Sequence, residues 1–349
     1  MSDSTATWLF RIPEVFEPHA AEILAGLNAT LQKRLGADYY LVRVDDAAAL
    51  GESDWTKFVS WKLPVHHAWP CNPQKLEGFV EKAAQGIHRK FGGQEIQTLL
   101  AGPLQATGTH PYYRHLATNL RGRVLQLFPS FPVAEVEAQD PAAPTLFCLV
   151  GKEGLYCGVL SPREANGFYP GGTKFISQSG GISRAGAKIA EALHYLQLHR
   201  PVPEKGAHWL ELGACPGGMT SELLARGYRV TAVDKAPLDS RLDNAPGLTF
   251  VRMDVDTFRL AEKDRLGGLL SDMNGDPRSS LRQVVRLSAN LSDGAPIIFT
   301  LKSTAVEQPQ EMIELARAAK AFAKAAGLRY IAETHLTYNR QEFTLFFER

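Results

Sequence analysis

The stretch that most limits what this chain can fold into is His208-Trp-Leu-Glu-Leu-Gly-Ala-Cys-Pro-Gly-Gly-Met-Thr220, with Arg229-Val-Thr-Ala-Val-Asp234 close behind it. Apolar residues up to Leu212 read as a buried strand, Gly213 to Gly218 as a tight turn, and Met219 to Arg226 as a helix. Together with the strand ending at Asp234 they make the first β-α-β unit of a nucleotide-binding sheet. Glycines there let backbone N–H groups approach a ligand, and a carboxylate at the end of the second strand can accept both hydroxyls of a ribose. An adenosine compound fits that pair of features.

Spacing selects among adenosine ligands. A dinucleotide fingerprint needs Gly-x-Gly-x-x-Gly, whereas this loop reads Gly213-Ala214-Cys215-Pro216-Gly217-Gly218, with Glu211 two residues ahead of it. An acid at that strand end repels a pyrophosphate and suits a cation, the α-amino group of S-adenosylmethionine. The expected cofactor is therefore S-adenosylmethionine, held by Glu211, the loop residues Gly213 to Gly218, and Asp234. Asp254, just beyond the third strand, is expected at the adenine.

At 349 residues the chain is long enough for two or three domains with cores of their own. Its 38 basic and 37 acidic residues nearly cancel, so a nucleic-acid site has to be a local patch. Cys71, Cys148, Cys157 and Cys215 form no Cys-x-x-Cys pair, which points to a reduced cytoplasmic protein without a structural metal. A basic-then-apolar leader and a ~20-residue apolar run are both missing from the sequence, so neither secretion nor a membrane partner is expected. A monomer is the expectation for such a near-neutral chain.

In the N-terminal half, Thr7–Ile12 reads as a strand, Glu14–Leu35 as an amphipathic helix, and Tyr39–Val44 and Val59–Val65 as strands. Leu76–Phe91 and Tyr113–Phe128 read as helices, and Gln94–Leu100, Thr145–Val150 and Leu155–Val159 as strands. Arg114, Arg121 and Arg123 sit on the second of these helices and Lys82, Arg89 and Lys90 on the first; basic residues beside Tyr112 and Tyr113 can meet phosphates and stack on bases.

From Ile182 onward a helix is followed by alternating strands and helices, the pattern of an α/β, Rossmann-like seven-stranded sheet. Short connections after its second and third strands leave one face thinly covered. Asp272 falls at the C-terminal end of the fourth strand and Lys302 at the end of the fifth, and the ends of adjacent parallel strands open on one crevice. A methyl transfer to a hydroxyl needs the oxygen held in line and its proton managed. Competing acceptors fit poorly: Asp272-Met-Asn-Gly275 is not the Asn/Asp-Pro-Pro-aromatic loop of base amino-methyltransferases, and Cys215 is in the cofactor loop rather than placed to attack a base. Asp276 reads as a plain loop residue.

Glu211-Leu-Gly-Ala-Cys-Pro-Gly-Gly218 resembles the first motif of the FtsJ-type ribose 2′-O-methyltransferases, most of all their ribosomal large subunit methyltransferase M group. Glu211 stands where that family usually has Asp, and Met219 where it often has Trp. Tyr156-Cys-Gly-Val159, Phe168-Tyr-Pro-Gly-Gly-Thr-Lys-Phe175 and Ser183-Arg-Ala-Gly-Ala-Lys188 are similar to the family's approach to its catalytic domain, which makes Phe168, Tyr169, Lys174 and Phe175 candidate RNA contacts. The resemblance implies a catalytic set of Lys188, Asp272, Lys302 and Glu342. Lys302 would deprotonate or orient the hydroxyl, with Lys188 lowering its pKa and the two acids orienting the lysines. It implies an N-terminal α+β (ferredoxin-like) domain over 1–70, a THUMP-like RNA-binding domain over 71–165, a linker over 166–185 and the methyltransferase domain over 186–349. Its implied partner is RNA, a cytidine of 23S ribosomal RNA reached before the particle is fully assembled. The alternatives are the same chemistry on another RNA such as transfer RNA, or a non-catalytic RNA-binding assembly factor.

Overall fold

Apolar side chains crowd both faces of β1 (Ala6–Arg11), which can be buried only if the strand is central, and it is. The computed structural model describes residues 6–104, 111–133, 136–172, 181–260, 265–303 and 306–349, and they divide into two compact units, Met1–Lys174 and Phe175–Arg349.

In the first unit, β1 is followed by a 3-10 turn over Glu14–His19, α1 (Ala20–Gly26), β2 (Ala29–Leu35), β3 (Tyr39–Val44) and β4 (Trp61–Pro64), giving an antiparallel sheet ordered β2-β3-β1-β4. The helix expected over Glu14–Leu35 is corrected by this arrangement. Phe16, Ala20, Ile23, Leu24 and Leu27 are buried as a helical stripe should be, but Asn28 turns the chain at φ 50° and Ala29 onward pairs with β3. Leu31, the last member of the supposed stripe, is half exposed on this edge strand.

β5 (His67–Trp69), α2 (Phe79–Phe91), β6 (Thr98–Pro103), α3 (Pro111–Leu127), β7 (Thr145–Gly151), β8 (Gly154–Leu160) and the single turn α4 (Pro162–Ala165) complete the unit, with a second sheet ordered β5-β8-β7-β6. α2 and α3 cover one face of this sheet through Phe79, Ile87, Phe91, Leu116 and Leu120. Its other face shares a core with the first sheet, where Leu9, Trp61 and Leu63 meet Phe147, Leu149 and Tyr156. The division between 1–70 and 71–165 is thus not a division between separate cores. Residues 166–172, expected within a linker, are also fixed here: Asn166 Nδ2 donates to the Ser60 carbonyl at 3.0 Å and Arg11 to the Gly171 carbonyl at 2.7 Å.

The second unit comprises α5 (Ala185–Leu196), β9 (His208–Leu212), α6 (Gly218–Ala225), β10 (Arg229–Asp234), β11 (Leu248–Arg252), β12 (Gly268–Ser271), α7 (Pro277–Ser288), β13 (Pro296–Lys302), α8 (Pro309–Ala325), β14 (Arg329–Thr334) and β15 (Glu342–Glu348). Its seven strands are ordered β11-β10-β9-β12-β13-β15-β14, parallel except for β15, which runs antiparallel to both neighbours. Strand order reverses between β9 and β12, and a crevice opens at such a switch point, beyond the strands' C-terminal ends. The described residues between β10 and β12 contain a 3-10 turn, Ser240–Leu242, but no α-helix.

Candidate active site

Glu211 on β9 is only 2% exposed and accepts a 2.7 Å hydrogen bond from Thr220 Oγ1 on α6. Burial pushes its pKa up to about 8; Thr220 opposes the rise, while the negative charges of Asp272 and Asp234 add to it. After β9 the chain turns at Gly213, φ 79°, where a Cβ would stand 2.9 Å from the Met273 backbone. Gly217, φ 103°, then starts α6. Asp234 closes the loop: Cys215 N–H donates to one of its oxygens and Ala236 N–H to the other, each at 2.9 Å.

Glu211, Gly213, Cys215, Asp234 and Ala236 line a cavity of about 590 Å³ together with Met253, Asp254, Asp272, Met273 and Lys302. Glu211, Gly213 to Pro216, Gly218, Asp234, Asp254 and Asp272 are therefore brought to one space, as their sequence positions suggest. Gly217 is not on that wall; its contribution is the backbone turn. Asp254 both lines the cavity and caps its own turn by accepting from Asp256 N–H at 3.0 Å, while Lys235 pairs with it at 2.7 Å.

Lys188, Asp272, Lys302 and Glu342 form a closed ring of ion pairs. Asp272 Oδ1 accepts from Lys188 at 3.1 Å and Lys302 at 2.8 Å, and Glu342 accepts from Lys188 at 2.6 Å and Lys302 at 3.1 Å. Sheet register explains half of the ring, because Lys302 at the end of β13 lies directly opposite Glu342 at the start of β15. α5 supplies Lys188 from one side and the end of β12 supplies Asp272 from the other. All four side chains are at least four-fifths buried. Two cations and two anions leave no net charge to desolvate, which is the condition for burying such groups.

The ring corrects one expectation. Burial acts to lower the pKa of Lys302, but Asp272 and Glu342 outweigh it, and the net shift is upward. Asp272 shows the counterpart: burial raises its pKa, Lys188 and Lys302 lower it further, and the net shift is downward. Lys188 does not leave Lys302 a ready base, because two carboxylates stand between the ammonium groups.

Three supporting residues carry little signal in the sequence. Thr220 fixes Glu211; its position one helical turn beyond the glycines is the only hint. Glu191, one turn after Lys188 on α5, is buried and receives Thr337 N–H at 3.0 Å on both oxygens, tying the β14–β15 loop that leads to Glu342. Arg286 on α7 donates to the carbonyls of Val255 and Phe258 at 2.8 and 2.9 Å, holding the segment beside Asp254. Asp276 is more than the plain loop residue its sequence position suggests: it caps α7 by accepting from Ser279 N–H at 2.9 Å and lines the cavity.

In the first unit, Arg123 is bound to Glu81 at 2.6 Å, which joins α3 to α2, and Arg121 to the Leu99 carbonyl at 3.0 Å, which joins α3 to β6. Lys82 donates to the Glu77 carbonyl at 3.1 Å. Arg89, Lys90, Tyr112 and Arg114 are exposed, whereas Tyr113 is buried. Phe168 is buried too and is not available to a partner, and Lys174 and Phe175 lie outside the described residues.

The family model of FtsJ-like methyltransferases matches residues 182–329. The chain is 32% identical over 191 residues to ribosomal RNA large subunit methyltransferase M from Halorhodospira halophila, covering 54% of this chain and 53% of that one. Proteins of the same name are 29% identical over 206 residues in Psychromonas ingrahamii (57% and 55% covered) and 31% over 174 residues in Laribacter hongkongensis (48% and 48%). The chain spans about half the length of the curated relatives it matches.

Proposed function

We propose that this chain, which carries an FtsJ-like methyltransferase domain, transfers a methyl group from S-adenosylmethionine to a ribose 2′-hydroxyl of RNA, with a cytidine of 23S ribosomal RNA as acceptor. The observation that carries this reading is the ring of Lys188, Asp272, Lys302 and Glu342, of which Asp272 and Lys302 line a cavity that also holds five further acids, Glu211, Asp234, Asp254, Asp256 and Asp276.

The cavity residues fit the cofactor. Glu211 is a buried carboxylate suited to an ammonium group. Asp234 uses one N–H bond per oxygen, and a carboxylate has about four lone-pair sites, which leaves room for two ribose hydroxyls. Met253, Asp254 and Val255 form the wall for the adenine. S-adenosylmethionine supplies a sulfonium methyl electrophilic enough that the hydroxyl proton can leave late.

Lys302, held as an ammonium, donates a hydrogen bond that holds the 2′-oxygen in line for attack. Asp272 accepts the hydroxyl's own hydrogen bond, fixes the direction of the lone pair that attacks, and takes the proton that the oxygen loses as it is methylated, passing it on to solvent. Lys188 and Glu342 hold these two groups and keep the ring neutral. Arg89, Lys90, Tyr112 and Arg114 of the first unit, in the role of a THUMP-like module, contact the RNA backbone and bases. The protein acts as a cytoplasmic monomer on RNA that is not yet fully assembled.

The test is methyl transfer from labelled S-adenosylmethionine to protein-free 23S ribosomal RNA. Label on one cytidine whose linkage resists alkaline cleavage supports the proposal. Label on a base overturns the acceptor, label only on transfer RNA overturns the substrate, and bound cofactor with no transfer to any RNA points to an assembly factor.

A further inference from the structure

The cofactor cavity is bounded on one side by the first turns of α7, where Asp276, Ser279 and Ser280 face it. The same turns form the wall of a second cavity. Leu281, Leu301, Leu315 and Phe322 line a groove of about 240 Å³ between α7 and α8, with Arg278 and Arg282 also on its wall. Phe322 is 43% exposed at the end of an apolar stripe of α8 that also carries Leu315, Ala318 and Ala319. Among the described residues, no acid lines the groove.

We propose that this groove takes one unstacked nucleobase of the RNA, with the adjoining phosphates on Arg278 and Arg282. The inference rests on the proposed function, for which it supplies a subsite flanking the target nucleotide. Size argues for a single planar group, since sites enclosing drug-sized ligands run ~300–1,000 Å³. Charge argues for a nucleic acid: Arg278 and Arg282 are exposed cations one helical turn apart beside an apolar cleft, and stacking on an aromatic face next to arginine is the usual way single-stranded RNA is held. The α7 N-terminal amides do not compete for the phosphate, because Asp276 already caps them. Placement argues for a flanking nucleotide, since the first turns of α7 wall both this groove and the cavity that Asp272 and Lys302 line.

The test is equilibrium binding of fluorescein-labelled single-stranded RNA to the full chain by anisotropy, which needs no turnover. Phe322→Ala is expected to weaken binding ~5-fold or more, the range for one stacked base. It should leave the affinity for an abasic strand of the same length unchanged. Arg278→Ala with Arg282→Ala should weaken both strands and lower the slope of log affinity against log salt by ~1.4. Affinity for S-adenosylhomocysteine should stay the same in all variants, which shows that they fold. RNA affinity unchanged within twofold, equal losses on the abasic strand in Phe322→Ala, or no RNA binding by the natural chain would overturn the subsite. Methyl transfer to 23S ribosomal RNA, run alongside, separates the two readings. Binding losses without transfer in the natural chain sink the activity and leave the subsite, whereas transfer with an unchanged KM for RNA in the variants sinks the subsite alone.

Discussion

Lys302 Nζ lies 2.8 Å from Asp272 Oδ1, the oxygen that Lys188 also reaches. Sharing one oxygen between two lysines ties the ends of β12 and β13 to α5, so any change in one group is felt by the other three. Removing one member leaves an uncompensated buried charge, at a cost of ~3–5 kcal/mol if the fold does not relax. Asp272→Asn should therefore lower the melting temperature and abolish transfer. Lys302→Met is expected to lower kcat at least ~10²-fold, the scale of a misplaced attacking atom. Both effects are read from thermal melting and from steady-state transfer to RNA.

Ordinary lysine titrates near ~10.4, and the two carboxylates place Lys302 above its usual value. The rate of transfer should show no rise between about pH 7 and 9 that Lys302→Arg removes. A basic limb that disappears in Lys302→Arg would mean that a neutral lysine acts as the base.

Glu211 and Asp272 titrate in opposite directions. With a folded pKa of about 8, Glu211 binds a proton in the folded state that the unfolded chain has already lost. Between about pH 4.3 and 8 the folded state then binds more protons, so this group's contribution falls as pH rises, by up to ~1.4 kcal/mol per pH unit. The melting temperature of Glu211→Gln should gain on the natural chain across that window and level off above it. Asp272 is the reverse case: its lowered folded pKa contributes stability above about pH 4 that is lost as pH falls through the folded value. Binding of S-adenosylhomocysteine should release up to one proton near pH 7, measurable by calorimetry in buffers of different ionisation enthalpy.

Gly213→Ala tests the turn. The backbone stands at φ 79° and the added methyl would meet the Met273 backbone at 2.9 Å, so either the β9 turn or the segment after Asp272 must shift. Strain of about 1–3 kcal/mol is expected, with a loss of S-adenosylhomocysteine binding larger than the loss of stability.

Glu191→Gln tests the support of Glu342. The Gln side chain keeps the shape but weakens the charged acceptor for Thr337 N–H, a change of about 1–2 kcal/mol. Melting should fall modestly. Transfer should fall more, through kcat, while S-adenosylhomocysteine binding is retained. Equal losses in all three would make Glu191 a purely structural residue.

Much of the second unit is legible from residue order because parallel strands with short turns repeat one rule: residues just past a strand's C-terminal end face the crevice. Asp272 and Lys302 can be placed together on that rule alone. Glu342 cannot, since it begins an antiparallel strand and meets Lys302 only through the β13–β15 register, so its place in the set rests on a motif. Lys188 sits on a helix outside the strand ends and likewise depends on a motif. The sign of the Lys302 shift is hidden from sequence because spacing reveals which charges gather, not how many carboxylates stand between two ammonium groups. In the first unit the helix over Glu14–Leu35 fails at Asn28, where an apolar stripe continues in sequence but the backbone turns into an edge strand. Periodicity cannot report a turn that one αL residue supplies.

Methyl transfer from labelled S-adenosylmethionine to protein-free 23S ribosomal RNA, by the natural chain and by Lys302→Met, bears most directly on the role of the ring, with S-adenosylhomocysteine affinity measured on both proteins. Label on one ribose with the natural chain, almost none with the variant, and equal ligand affinity are expected if Lys302 holds the attacking oxygen in line. Equal labelling by both proteins would contradict that role.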